Sequence, residues 1–163
     1  MKTDVVKLVT FRLGHDVFAA DIAVVERVLR YATPNHVPDV PAWIEGVVEH
    51  RGTVIPVVDL RRRNELPDCS ITAQTRILVL ATAAGWVGAI VDAVLEVAVV
   101  PATAVAAPPP LFRGFASHFL RGIAKIRERL VVVLDVERVL TSPDRLVFEH
   151  ALEAAQTAAV IRG

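Results

Sequence analysis

The sequence predicts a mainly β fold built from two small, similar barrels. Three observations predict it. Short β-branched runs recur along the chain, and turn residues close each one. The stretch 46–60, GVVEHRGTVIPVVDL, returns as 122–136, GIAKIRERLVVVLDV. Only one long segment, near the C-terminus, has both the start signal and the apolar stripe of a helix.

The central stretch reads as a hairpin. Gly52 supplies the positive φ that a two-residue turn needs after Arg51. Ile55, Val57 and Val58 suit a packed, pleated surface. Pro56 donates no ladder hydrogen bond, so an edge or a bulge is expected there. Asp59 is placed to cap a short helix starting at Leu60. In the second copy Gly122 and Asp135 stand as far apart as Gly46 and Asp59, and Arg127 precedes Arg129 as Arg51 precedes Thr53. Agreement in order, spacing and punctuation points to an internal duplication.

The remaining elements follow in order. Residues 5–13 alternate as a strand, with Val9, Phe11 and Leu13 on one face. Gly14, His15 and Asp16 are turn chemistry, and 17–21 is the returning strand. Ile22, Val25, Val28 and Leu29 recur at helical spacing, which predicts a short helix over 22–29. Pro34, Pro38 and Pro41 make the next segment an extended linker. A polar loop, 64–74, leads to strands at 76–82 and 86–91 joined by a turn, and then to a strand-like run at 94–100. This echoes the opening of the chain, with Val24-Val25-Glu26 set against Val94-Leu95-Glu96. Residues 101–115 are rich in Pro and Ala and read as a crossover loop. Ser142-Pro143-Asp144 starts a C-terminal helix over about 143–160, with Leu146, Phe148, Leu152 and Ala155 as its stripe.

Composition bounds the function. A chain of 163 residues can bury a core without staples. Apolar residues make up 53% but aromatics only 6%, so that core is aliphatic. Lys+Arg and Asp+Glu balance at 18 each, which leaves no long-range field to gather nucleic acid or an acidic membrane. The single cysteine, Cys69, fits a reducing compartment. The N-terminal run is interrupted by Asp4 and Lys7, unlike a signal peptide. The longest uncharged run, 97–112, contains four prolines and is no membrane span. A cytoplasmic location is expected.

Chemistry-bearing residues are scattered. His15, His36, His50, His118 and His150 share no metal-ligand spacing with Cys or carboxylates, so no metal is expected. Asp59 and Asp135 sit where strands pass into helices and read as caps rather than an acid pair. Arg61-Arg62-Arg63 is followed by Asn64 and Glu65 without aromatics, and reads as a solvated face. Neither a phosphate-binding loop nor a nucleophile elbow is present, and no cofactor is expected. An adaptor, a small-barrel enzyme and a nucleic-acid-binding barrel are the three classes weighed. The enzyme lacks convergent polar groups, and the nucleic-acid reader lacks a basic, aromatic strand face.

The segments LVTFRLG (8–14), PAWIEGVVEHRGTVIPVVDLR (41–61), WVGAIVDAVLEV (86–97) and GIAKIRERLVVVLDVERVL (122–140), with the expected helix near 22–28, resemble the CheW family of bacterial chemotaxis adaptors. The resemblance spans nearly the whole chain. It implies a single CheW-like domain over 1–163, of two intertwined five-stranded SH3-like β-barrels with a short helix near the N-terminus and a C-terminal helix. It also implies a non-enzymatic adaptor. Family members join the cytoplasmic tip of chemoreceptors, the methyl-accepting chemotaxis proteins, to a CheA-type histidine kinase whose regulatory domain is itself CheW-like. Such a protein is cytoplasmic, meets receptor arrays only through partners, and uses neither nucleic acid nor membrane insertion. Carried over position by position, the resemblance marks Arg51, Gly52, Gly46, Val25, Arg27 and Gly88 as partner-binding, with Glu49 and His50 tuning the same surface. Glu49-His50 stands where the family usually has Asn-Leu, and Arg27 where it commonly has an acidic residue. The alternatives are a CheW-like scaffold of a specialised non-motility chemosensory pathway and a nucleic-acid-binding β-barrel.

Overall fold

The computed structural model describes residues 4–39, 44–59, 71–83, 85–107 and 120–136, and these fold as strands joined by tight turns. In chain order the strands are β1 (Val5–Leu13), β2 (Asp16–Asp21), β3 (Val25–Arg30), β4 (Ile44–His50), β5 (Thr53–Asp59), β6 (Arg76–Thr82), β7 (Gly85–Val91), β8 (Ala93–Pro101), β9 (Val105–Ala106), β10 (Leu120–Ile126) and β11 (Arg129–Leu134). Two single 3-10 turns, Ile22–Val24 and Ala102–Ala104, interrupt them.

The strands form two sheets, ordered β8-β1-β2-β11-β10-β9 and β3-β6-β7-β5-β4. The two halves of the chain exchange hairpins. The β1–β2 hairpin joins the sheet of the second half, pairing with β8 and, in parallel, with β11. The β6–β7 hairpin joins the sheet of the first half, pairing with β3 and, in parallel, with β5. Each sheet then curls shut. The segment after β3 returns to β4 through the Asn35–Val47 bridge, whose two backbone hydrogen bonds measure 2.8 and 2.9 Å. The segment after β8 returns to β10 as the short β9. The expected pair of intertwined barrels is therefore present, and β9 is the six-stranded barrel's counterpart of the single bridge in the five-stranded one.

The exchange explains why the strands are apolar on both faces. A strand with a barrel interior on one side and the other barrel on its back has no solvent face. On β1, Val9, Phe11 and Leu13 enter a core shared with Leu78, Leu80, Ala89 and Val91 of the other barrel. Leu8 on the opposite face packs with Ala19, Val131 and Val133 inside the six-stranded barrel. On β6, Ile77 and Val79 pack with Val48, Ile55 and Val57 inside the five-stranded barrel. Phe11 and Phe18 stack with ring centroids 6.3 Å apart in the shared layer.

The duplication is visible in the registers. Both halves carry a bulge at the same place. Val25 pairs with Leu80 and Arg27 with Val79, while Val94 pairs with Phe11 and Glu96 with Thr10. Both second hairpins shift register just before their glycine, between Ile44 and Gly46 and between Leu120 and Gly122. Each glycine lies under the returning segment. A Cβ on Gly46 would overlap the Asn35 carbonyl, and one on Gly122 would lie 2.6 Å from the Ala106 oxygen. The pairing also corrects the sequence alignment by one residue: Val25 corresponds to Val94, Glu26 to Leu95 and Arg27 to Glu96.

Three further expectations change. The helix expected over 22–29 is one 3-10 turn, capped by Asp21 accepting from the Ala23 N–H at 2.9 Å, followed by strand β3. Pro56 lies in an internal strand rather than at an edge. It faces Val47, whose own N–H and C=O turn away to Asn35, and the ladder with β7 begins one residue later, so its missing N–H leaves a gap in neither ladder. Residues 101–106 of the expected crossover loop belong to β8, the second 3-10 turn and β9. Asp59 is buried at the end of β5, and Asp135 directly precedes the first helical residue, Val136. The helix expected at Leu60, the Arg61–Arg63 run, Cys69, His118, His150 and the helix expected over 143–160 lie outside the described residues.

Candidate functional site

The β4–β5 hairpin ends in the two-residue turn Arg51-Gly52, with φ of 49° and 80°. Two positive φ values in succession mark a type I′ turn, whose twist matches that of the flanking strands. A side chain at positive φ costs roughly 1 kcal/mol, so an arginine held there is a strained feature. The counterpart turn, Arg127-Glu128, has φ of 52° and 66° and also begins with arginine. Arg51, Gly52 and Glu49 are exposed, and His50 is half-buried with its Nε2 enclosed and without a hydrogen-bond partner.

The remaining candidates divide by burial. Arg27 is exposed on β3, immediately past the bulge. Val25 is half-buried and packs on the shared core. Gly46 and Gly88 are buried. Gly88 lies beneath Ile77 and Val57, and a Cβ there would sit 2.8 Å from the Ile77 Cγ2. Arg27, Val79, Gly88, Val57 and Gly46 form one row across the sheet. The two glycines therefore shape the barrel beneath the surface that Arg27 and Arg51 present.

The six-stranded barrel shows what surrounds such a turn. A groove of about 260 Å³ is lined there by Val17, Glu96, Ile126 and Arg127 among others. Across it the Arg127 guanidinium forms an ion pair with the Glu96 carboxylate at 2.9 Å. The corresponding positions in the five-stranded barrel are Trp86, Arg27, His50 and Arg51. Trp86, 36% exposed, was not singled out from the sequence. Nor were Leu95, Val97 and Val99, which expose about half their surface along β8. A run like 93–101, apolar on both faces but for Glu96, does not disclose which face looks outward. Among the described residues no three His, Cys, Asp or Glu are grouped to hold a metal, and no helix is long and apolar enough to cross a membrane.

A family model described as the CheW-like domain matches residues 7–144. The chain belongs to the CheW-like family. This is a family of non-enzymatic adaptors whose members couple chemoreceptors to CheA. Chemotaxis protein CheW from Bacillus subtilis is 32% identical over 134 residues, covering 82% of this chain and 86% of the relative. Protein FrzA from Myxococcus xanthus is 33% identical over 115 residues, 71% of each chain. The crystal structure of scaffolding protein TtCheW from Thermoanaerobacter tengcongensis superimposes with a TM-score of 0.80 at 27% identity, covering 88% of this chain and 92% of that one. The two-barrel architecture is thus the CheW scaffold.

Proposed function

We propose that this chain is the cytoplasmic adaptor that joins the signalling tip of a chemoreceptor to the regulatory domain of a CheA-type histidine kinase. The observation that carries the reading is Arg51. It is exposed, held at positive φ, and stands on the Arg-Gly turn that the family uses for partner contact. Arg supplies a planar head with several donors and is favoured where protein interfaces concentrate their energy. Gly52 keeps the turn open, with nothing within 4 Å of an added Cβ. Glu49, His50 and Arg27 give the surface its charge, while Val25, Gly46 and Gly88 support it from below.

The mechanism needs no chemistry from this chain, no cofactor and no membrane insertion. The adaptor fixes how receptor and kinase sit together, and the receptor state then favours one arrangement of the complex. The exchange of hairpins supports treating the two barrels as one domain. Glu49-His50 and Arg27 favour a second reading, in which the same adaptor serves a specialised pathway related to chemotaxis. Titration of the Arg51→Glu variant against a receptor cytoplasmic fragment and the kinase regulatory domain, beside a thermal melt, tests the proposal. An unchanged melt with a loss of about 2 kcal/mol, roughly thirtyfold in affinity, for at least one partner is expected. Equal binding of both partners by a normally folded variant overturns it.

A further inference from the structure

The two barrels correspond position by position at the hairpin tip, where each turn begins with an arginine, but the residue set against that arginine on the bulged strand differs in charge. In the six-stranded barrel the tip arginine, Arg127, is neutralised by Glu96 from the bulged strand. In the five-stranded barrel the tip arginine is Arg51, and the position of Glu96 is held by Arg27, as the paired registers of β3 and β8 require. Both arginines are exposed, and neither has an ion-pair partner among the described residues. Glu26 and Glu49, the nearest carboxylates in sequence, make no ion pair with either one. The positions that carry a cation and a carboxylate in one barrel thus carry two cations in the other.

We infer that Arg27 and Arg51 together receive a carboxylate side chain, aspartate or glutamate, from a partner protein, in the place that Glu96 fills against Arg127. The inference rests on the adaptor reading above and names the chemistry of its contact. Charge decides the occupant. Two guanidiniums offer planar, forked donors that match a carboxylate, and an acid placed between them relieves their mutual repulsion. An apolar or basic partner group at this point would leave both cations uncompensated. Trp86 stands where Val17 lines the groove beside Arg127, and supplies an apolar wall for the methylenes of the incoming side chain.

The test uses the full chain carrying Arg27→Glu or Arg27→Gln. Each is titrated against the purified receptor cytoplasmic fragment and the purified kinase regulatory domain from the same organism, at low and high salt, with parallel melts. Arg27→Glu rebuilds the internal pair seen at Glu96–Arg127, so it melts at or above the parent. It weakens at least one partner by about tenfold at low salt, with a smaller difference at high salt. Arg27→Gln falls between the two. If Arg27→Glu binds both fragments like the parent while Arg51→Glu does not, the shared carboxylate site is wrong and the adaptor reading stands. A melt well below the parent means that residues 27 and 51 do not meet, and overturns the inference directly. If the parent binds neither fragment, the adaptor reading fails and this inference fails with it.

Discussion

Gly46→Ala separates a residue that touches a partner from one that lets the barrel close. Gly46 has a φ of 143°, and an added Cβ would overlap the Asn35 carbonyl oxygen. Backbone strain at such a φ costs roughly 1–2 kcal/mol for an L side chain. The overlap is with backbone, so Asn35 must move, and the two hydrogen bonds to Val47 at 2.8 and 2.9 Å are lost. At about 1 kcal/mol each they bring the total to roughly 3–4 kcal/mol. For a chain of this length that lowers the melting temperature by about 10 °C. Gly122→Ala meets a similar obstruction, with its Cβ 2.6 Å from the Ala106 oxygen, but without the positive φ, so its loss should be the smaller. Thermal melts followed by far-ultraviolet dichroism measure both. A Gly46→Ala protein that melts within 2–3 °C of the parent, on the same scale, refutes the closure argument. One that folds normally yet loses partner affinity would move Gly46 to the interface itself.

Two smaller perturbations complete the set with the arginine variants already described. Gly88→Ala places a Cβ 2.8 Å from Ile77 Cγ2, a side-chain methyl that can shift, and it should cost about 1–2 kcal/mol with partner affinity retained in the folded protein; calorimetry and titration on the same sample check this. The buried Thr10 hydroxyl donates to the Glu96 carbonyl at 2.9 Å and accepts from its N–H at 3.1 Å. Thr10→Val removes both bonds and should lower the melting temperature by about 5 °C, whereas an unshifted melt would mean that the bulge needs no hydroxyl.

The sequence was most legible where local chemistry and burial agree. The bounds of β1 and β6 follow from apolar runs stopped by turn residues, and the Arg51-Gly52 turn follows from one glycine. The strand at 25–30 was hidden by its bulge. An extra residue at Glu26 breaks the period of two, and Ile22, Val25, Val28 and Leu29 then fall at helical intervals. The same bulge displaced the alignment of the halves, because Glu26 and Glu96 match as letters while the pairing sets Arg27 against Glu96. Candidate residues Arg51 and Arg27 could be named from the sequence, but not their charge relation. That relation depends on which strand returns to which hairpin, and no stretch of either half contains the answer. Trp86 was missed for a related reason. An aromatic at the start of an apolar strand reads as core, and only the later start of the β5–β7 ladder leaves it at the rim.

The exchanged hairpins also set an order of events. A ribosome releases β1 and β2 long before their neighbours exist, since Val5 pairs with Pro101 and Phe18 with Val132. Neither barrel closes from the first half of the chain alone. Such distant pairings pay for loop closure before any contact rewards it, so folding should be slow for a chain of this size. Until β7 emerges the β3–β5 segment, and until β8 and β11 emerge the first hairpin, present apolar edges to the cell, and a chaperone, or the same hairpin of a second nascent chain, is what they can meet. Two such chains trading hairpins would reproduce between molecules the arrangement that one chain achieves within itself.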